Sequence, residues 1–164
     1  MSKLKVTGLL LLFSFLLSHM GQAQESKFKA LFIYKFAEYI EWPTGKQNVT
    51  VGMIGKSGVS QELSNFAATK GNMTVLNISG PAEVSKCDII FLPQSEDGQL
   101  DTYNSAINGK SILVVSENSA LTGKGSDLGF FLDSGKLRFL IDEKSIRKKN
   151  LIPSSKLLAL GKPI

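Results

Sequence analysis

The 164-residue sequence contains one cysteine, Cys87, and one histidine, His19. A single cysteine cannot form an internal disulfide, and together with one histidine it cannot supply the nitrogen and sulfur ligands of an ordinary tetrahedral zinc site. Cys87 opens the apolar run 87–92, which favours a buried thiol that packs as a small hydrophobic side chain. The sequence therefore excludes disulfide-rich scaffolds, and we expect no metal and no cofactor.

The N-terminal segment has the pattern of a signal peptide. Lys3 and Lys5 precede the apolar run 6–17, and the small residues Gly21 and Ala23 stand where signal peptidase prefers them. The apolar run has about 12 residues, whereas a membrane-spanning helix needs about 20. We therefore expect residues 1–23 to be a cleaved signal peptide and residues 24–164 to form the exported domain, with no direct membrane insertion after processing.

Cleavage after Ala23 would also remove His19. The remaining chain has no imidazole, which excludes the Ser-His-Asp and Cys-His catalytic arrangements. Loss of Lys3 and Lys5 leaves 17 basic residues, scattered along the chain, against 14 acidic ones. This balance is too mild to indicate nucleic-acid binding. Pairs of carboxylates that are close in the sequence could act as a general acid and base, but they are better explained as parts of solvated helix faces and as helix caps. We therefore expect no enzymatic activity.

The spacing of apolar residues predicts alternating helices and strands. Apolar side chains recur at intervals of three and four over 27–41, which predicts a helix that ends at Trp42-Pro43. Several strand-like runs are apolar throughout, so the sheet should be covered by helices on both faces. The predicted strands are 49–54, 74–78, 87–92 and 111–115, and the helical segments between them are 59–69 and 97–107.

The last third of the chain changes to an antiparallel pattern. The runs 128–133 and 136–141 flank a Ser-Gly turn, which predicts a β-hairpin. Asp142 is expected to cap a short helix, and Asn150 to adopt the left-handed conformation at its end. A final helix is predicted over 154–160. The predicted fold class is α/β: a single three-layer α/β/α sandwich with a mixed, mostly parallel sheet and a C-terminal antiparallel hairpin.

A glycine-containing loop over 52–58 follows the first predicted strand of the sheet. Such a loop can direct backbone amides at a phosphate, but here the spacing matches neither the dinucleotide fingerprint nor the P-loop. A plain strand-to-helix turn is the better interpretation. A small-molecule pocket at the carboxyl ends of the parallel strands stays open as an alternative function. Its candidate ligand-binding residues are Gly55, Lys56, Ser57 and Pro93.

The first predicted helix has an unusually wide apolar arc. At about 100° per residue the arc covers more than half of the circumference, which is more than one sheet face requires. Lys35 lies inside this arc. It could extend its aliphatic stem along a core helix to reach water. Alternatively, part of an aromatic-rich face with Tyr34, Tyr39 and Trp42 stays open to a partner, since aromatic residues are frequent interface anchors.

The segment 29–43, with the sequence KALFIYKFAEYIEWP, resembles the opening signature of the YfiR family of periplasmic proteins from Gram-negative bacteria. Further counterparts of the family pattern are the strand that ends at Gly55, the apolar strand begun by Cys87, the hairpin with Arg138-Phe139 and the closing Leu157-Leu158. The combination spans nearly the whole predicted mature chain. This sequence has Lys35 where many relatives have asparagine. It also has no second cysteine near Gly52, and that absence puts a redox role in doubt.

The resemblance implies a regulator without catalysis. The best understood relatives hold a membrane-bound diguanylate cyclase of cyclic-di-GMP signalling inactive from the periplasmic side and release it on envelope or redox stress, and other relatives serve sensor kinases. The expected partner is therefore a membrane-anchored signalling protein. The candidate partner-binding residues are Tyr34, Lys35, Tyr39, Trp42 and Arg138. An ion pair with Glu41 is the preferred alternative for Arg138, and a homodimer stays open.

Overall fold

A computed structural model describes residues 2–43 and 45–164, with side chains described from Gly21 onwards. The charged start and apolar run of the predicted signal peptide lie outside the residues whose side chains are described. Helix α1 runs from Ser2 to Tyr39. The helix predicted over 27–41 therefore ends two residues early, because Ile40–Glu41 forms strand β1 and pairs with strand β8, Ile152–Pro153.

The main sheet has seven strands in the order β3 (Met73–Ile78), β2 (Val49–Ile54), β4 (Ile89–Leu92), β5 (Leu113–Ser116), β6 (Leu128–Asp133), β7 (Lys136–Ile141) and β9 (Lys162–Pro163). Strands β2 to β6 pair in parallel, β7 is antiparallel to β6, and β9 is parallel to β7. This arrangement confirms the predicted mixed, mostly parallel α/β fold.

Helices cover the sheet on both faces. The remaining helices are α2 Gly58–Lys70, α3 Leu100–Ile107, α4 Glu143–Lys148 and α5 Ser155–Leu160. Helices α1 and α2 contribute Phe36 and Leu63 to one buried cluster, whereas α3 contributes Tyr103 to a second cluster. Because strand side chains alternate, Phe91 enters the first cluster and Ile90 the second. The sheet is therefore buried on both sides, as its apolar strands predicted.

The C-terminal hairpin forms as predicted. Asp133 pairs with Lys136, and the turn residues Ser134 and Gly135 both have positive φ angles of 50° and 76°. These are the angles that a two-residue hairpin turn requires. Asp142 caps α4 by accepting a hydrogen bond from Ser145 N at 2.9 Å, and Asn150 adopts φ 58° after the helix.

Several element boundaries differ from the sequence prediction. The strand predicted from Cys87 begins at Ile89, because residues 81–86 form a 3₁₀ helix that ends at Cys87. Asp88 then uses its carboxylate to accept a hydrogen bond from Thr50 N at 2.7 Å. The helix predicted over 97–107 is divided into a 3₁₀ helix, Gln94–Gln99, and α3. Cys87 itself is buried, as predicted.

Candidate functional site

The C-terminal end of α1 and the starts of β2 and β3 enclose a groove of about 560 Å³. Its lining includes Tyr34, Tyr39 and Trp42, so the structure brings together the three aromatic residues selected from the sequence. Trp42 directly precedes Pro43, and its indole Nε1 donates a hydrogen bond to the carbonyl oxygen of Ala37 at 3.1 Å. The tryptophan is thereby folded back against the helix that it follows.

The expectation that Tyr34 and Trp42 are exposed anchors is wrong. Their exposed fractions are 4% and 6%. The ring of Tyr34 stacks on Phe66 of α2, with the ring centroids 6.2 Å apart, and its hydroxyl lies 3.3 Å from Asn72 Oδ1. Helix α2 therefore covers a part of the aromatic face of α1 that the sequence left open.

Lys35 does not line this groove, and its side chain is 40% exposed. Its Nζ is 2.6 Å from Glu38 Oε2 and lies 5.5 Å and 5.7 Å from the ring centroids of Tyr34 and Tyr39. The hydrogen bond to Glu38 raises the pKa of Lys35. Partial burial alone would raise the pKa of Glu38, but its contacts with Lys35 and Tyr34 lower it overall. Lys35 is thus a charged, partly exposed residue at the edge of an aromatic cluster.

Helix α1 carries an exposed row that we call the α1 stripe, formed by Phe28, Leu31, Lys35 and Glu38. The spacings of three, four and three residues place these side chains on one face, over about 15 Å of helix. Phe28 is 46% exposed and Leu31 is 37% exposed. Ile33, Phe36 and Ile40 on the opposite side are buried. The wide apolar arc therefore does leave a surface open, although its apolar members are not the aromatic residues selected from the sequence.

The α1 stripe is continuous with a second groove of about 510 Å³ between α1 and the β6–β7 hairpin. We call it the hairpin groove. Phe28 belongs to both surfaces, and Leu132, which is 58% exposed, stands on the opposite wall beside Leu137. Phe32 forms part of the lining, with its ring centroid 5.5 Å from that of Phe139. Apolar surface thus extends from the helix to the hairpin.

Arg138 lies apart from the Trp42 groove. Its neighbours Leu137 and Phe139 pack on the α1 side of the sheet, so Arg138 points to the other face of the hairpin. Its Nε is 3.5 Å from Asp133 Oδ2 across the hairpin. The prediction that Arg138 forms an ion pair with Glu41 is therefore wrong. Arg138 pairs with Asp133, and both residues belong to the hairpin.

The carboxyl ends of β2 and β3 hold a smaller pocket of about 340 Å³. Of the four candidate ligand-binding residues, Gly55 lines it, whereas Lys56, Ser57 and Pro93 do not. The hydroxyl of Ser57 instead caps α2 by accepting a hydrogen bond from Val59 N at 3.2 Å. Pro93 is buried at the end of β4. The structure does not bring these four residues together as one site.

Lys29 is a structurally central residue that sequence reasoning missed. It is 7% exposed, and its Nζ lies 2.5 Å from Glu25 and 2.8 Å from Glu117. Burial lowers the pKa of Lys29, but hydrogen bonds and charge from Glu117 and Glu25 outweigh this effect and raise it overall. The four-residue spacing to Glu25 could have indicated one of these contacts. Glu117 is 88 residues away, and no local pattern indicates it.

None of the helices in the described parts of the chain combines the length and hydropathy that a bilayer span requires. The side chains described from Gly21 onwards also contain no group of three or more His, Cys, Asp or Glu residues placed to hold a metal ion.

A family model described as YfiR/HmsC-like matches residues 26–162. A search of curated proteins finds no match. Among solved structures, the chain is similar to a conserved domain protein from Vibrio cholerae O1 biovar El Tor str. N16961, with 12% sequence identity and a TM-score of 0.56. The similarity covers 84% of this chain but only 59% of the Vibrio protein, and at this identity it shows the fold alone. The family match spans most of the sequence, and the chain therefore belongs to the YfiR/HmsC-like family.

Proposed function

We propose that this protein is a non-catalytic periplasmic regulator that binds the periplasmic part of a membrane-anchored diguanylate cyclase or sensor kinase. Membership of the YfiR/HmsC-like family supports a periplasmic regulatory role in general. The class of partner and the binding surface are our proposal. Export depends on the predicted signal peptide, residues 1–23.

The observation that carries the proposal is the exposed apolar surface formed by the α1 stripe and the hairpin groove. Phe28, Leu31 and Leu132 are large apolar side chains with exposed fractions of 46%, 37% and 58%. Contiguous exposed apolar surface next to charged groups is typical of protein interfaces. Lys35 and Glu38 provide such charges at the end of the stripe. This surface fits a partner segment with apolar side chains and an acidic group that reaches Lys35.

The proposed surface changes the role of the residues selected from the sequence. Lys35 and Tyr39 remain candidates for direct contact, because both are partly exposed at the end of α1. Tyr34 and Trp42 are buried and affect partner binding indirectly, because they support the conformation of the C-terminal end of α1. Arg138 would contact a partner only if that partner also reached the other face of the hairpin.

Regulation through this surface requires a difference in affinity. A regulator shifts its partner between inactive and active states only by binding one state more tightly than the other. A coupling free energy of about 1–3 kcal/mol changes the partner's equilibrium about 5- to 150-fold. Contacts of the α1 stripe with a segment that moves between the two states would supply this difference.

The test is binding to detergent-solubilised membrane-anchored diguanylate cyclases and sensor kinases, beginning with any that a neighbouring gene encodes. We expect Phe28→Glu and Lys35→Glu to weaken binding by about tenfold or more, which corresponds to about 1.4 kcal/mol each. Ile164→Glu and Lys124→Glu are matched controls, since they change an exposed apolar and an exposed basic residue outside the surface. Equal binding by the wild type and by both stripe variants would reject the proposed surface.

The alternative, a small-molecule sensor at the carboxyl ends of the strands, is tested separately. Its pocket of about 340 Å³ is near the lower end of the usual range for ligand sites. A ligand present at 100 times its dissociation constant adds about 2.7 kcal/mol of stability. Stabilisation of the wild type by a metabolite that is lost in Gly55→Val, together with no binding of the wild type to the membrane receptors, would favour the sensor over the regulator.

A further inference from the structure

A basic cleft of about 590 Å³ lies between the end of α3 and the end of α4, and it shares no residue with the α1 stripe or the hairpin groove. Its polar lining consists mainly of lysine and asparagine side chains, and no acidic side chain lines it. These residues are Asn104, Asn108, Lys110, Lys148, Lys149 and Asn150. The volume lies within the range of about 300–1,000 Å³ that is usual for small-molecule sites.

The charge of the cleft is only partly balanced from within the protein. Lys149 Nζ lies 2.5 Å from Oδ2 of Asp127, a fully buried residue. The oxygens of Asp127 also accept hydrogen bonds from Val114 N at 2.7 Å and from the Ser145 hydroxyl at 2.6 Å. Asp127 is therefore fully engaged and offers no further charge to the cleft. The positive charge of Lys149 is balanced by this contact.

The positive charges of two other lysines of the cleft are not balanced by a buried carboxylate. Neither Lys110 nor Lys148 forms an ion pair with any side chain described from Gly21 onwards. Lys148 lies in the last turn of α4, where the helix dipole favours a positive charge. Each lysine also carries three N–H donors, so Lys149 keeps donors beyond its bond to Asp127.

Two positions in the lining of the cleft are glycines with positive φ angles. Gly109 has φ 74° and Gly125 has φ 123°. A Cβ atom at Gly125 would lie 2.2 Å from Nδ2 of Asn104, so the amide of Asn104 rests directly against the bare glycine. This contact holds a neutral hydrogen-bond donor in place beside the lysines.

We propose that this cleft binds a small organic anion with two acidic groups, phosphate or carboxylate. Lys110 and Lys148 supply positive charges that attract the acidic groups of the ligand, while Lys149 and Asn104 donate directional hydrogen bonds to it. Charge-assisted hydrogen bonds of this kind are about twice as strong as neutral ones. The position of the cleft allows an anion to bind while α1 is engaged with a protein partner, so the site is independent of the proposed regulatory interface.

The test uses pyrophosphate and citrate as probes, with acetate as a monovalent control, in isothermal titration calorimetry on the full protein. We expect at least one probe to bind with a dissociation constant below about 1 mM, and acetate to bind at least about tenfold more weakly. Preference for pyrophosphate identifies a phosphorylated ligand, and preference for citrate identifies a carboxylate ligand. Failure of both probes to bind with a dissociation constant below about 1 mM, or binding of acetate as tight as that of the tighter probe, overturns the proposal.

Variants distinguish the cleft from general attraction to a basic protein. Lys110→Gln combined with Lys148→Gln should weaken binding about tenfold or more, and Asn104→Ala should weaken it to a smaller extent. Lys124→Gln combined with Lys144→Gln is the matched control, because it removes the same charge outside the cleft. Equal losses in the two double variants would show non-specific attraction and would overturn the proposal.

Discussion

The ammonium group of Lys29 lies 2.8 Å from Oε1 of Glu117 and joins α1 to the segment that follows β5. The second oxygen of Glu117 accepts a hydrogen bond from Gln94 N at 2.9 Å, just after β4. One carboxylate therefore connects the first helix to the carboxyl ends of two central strands. Lys29 is 7% exposed and the side chain of Glu117 is 22% exposed, so each charge depends on the other for part of its stabilisation.

We expect Lys29→Met to lower the free energy of unfolding by about 2 kcal/mol, less than the 3–5 kcal/mol of a fully buried pair because Glu117 stays partly exposed. The measurement is urea denaturation followed by circular dichroism. Lys27→Met is the matched control, since Lys27 is exposed on the same helix. Adding Glu117→Gln to Lys29→Met should recover part of the loss. A variant Lys29→Met that is as stable as the wild type would contradict a structural role for the pair.

Trp42 contributes to stability and not to an exposed contact. Trp42→Ala should cost about 3–5 kcal/mol, because it empties a buried site and removes the hydrogen bond to Ala37. Trp42→Phe keeps most of the buried volume and should cost about 1–2 kcal/mol. Thermal and urea denaturation measure both effects. A Trp42→Ala variant with unchanged stability would show that the side chain is not packed as described.

Local patterns were sufficient to predict the central part of this fold. The β-rich run 49–54, which is followed by Gly55, predicts β2 at its observed bounds, and Ser134-Gly135 between two strand-like runs predicts the hairpin. The Asp142 cap and the left-handed Asn150 also depend on neighbouring residues only. Each of these features depends on residues that are close together in the sequence.

Features that depend on distant contacts were not predictable. The pairing of Ile40 with Pro153 and the addition of β9 beside β7 join segments with no shared local pattern. The wide apolar arc of α1 did indicate a surplus surface. Which residues of the arc stay exposed depends on how α2 and the hairpin pack against it, so Tyr34 became buried whereas Phe28 and Leu31 did not.

The Cys87 thiol should react slowly in the folded protein. Burial, with a smaller contribution from the negative charge of Asp88, raises the pKa of Cys87 from 9.0 to about 11. A raised pKa lowers the thiolate fraction, by about 100-fold at pH 8 for two units, and the thiolate is the reactive species. The rate of reaction with Ellman's reagent should therefore rise by about two orders of magnitude when urea unfolds the protein.

The same pKa shift predicts how stability changes in alkaline solution. Because the unfolded thiol ionises near pH 9 and the folded thiol near 11, the free energy of unfolding should fall as the pH rises through this interval. Cys87→Ala, which has no ionisable thiol, should lose less stability over the same interval. Equal reaction rates of the folded and unfolded thiol, or equal pH dependence of the two proteins, would contradict the burial of Cys87.

Gly52 is required by close packing in the centre of β2. A Cβ atom at this position would lie 2.1 Å from Ile78 Cδ1 and 2.7 Å from Cys87 Sγ. We expect Gly52→Ala to lower the free energy of unfolding by about 1–3 kcal/mol, because the added methyl group displaces its neighbours in a well-packed core. Gly80→Ala is the matched control, since a Cβ there meets no atom within 4 Å. In the Ile78→Val background, which lacks Cδ1, Gly52→Ala should cost clearly less than in the wild type. Urea denaturation of the wild type, the two single variants and the double variant measures the coupling free energy between the two positions. Strictly additive losses of unfolding free energy would contradict the contact with Ile78 and show that the strand moves to accommodate the methyl group.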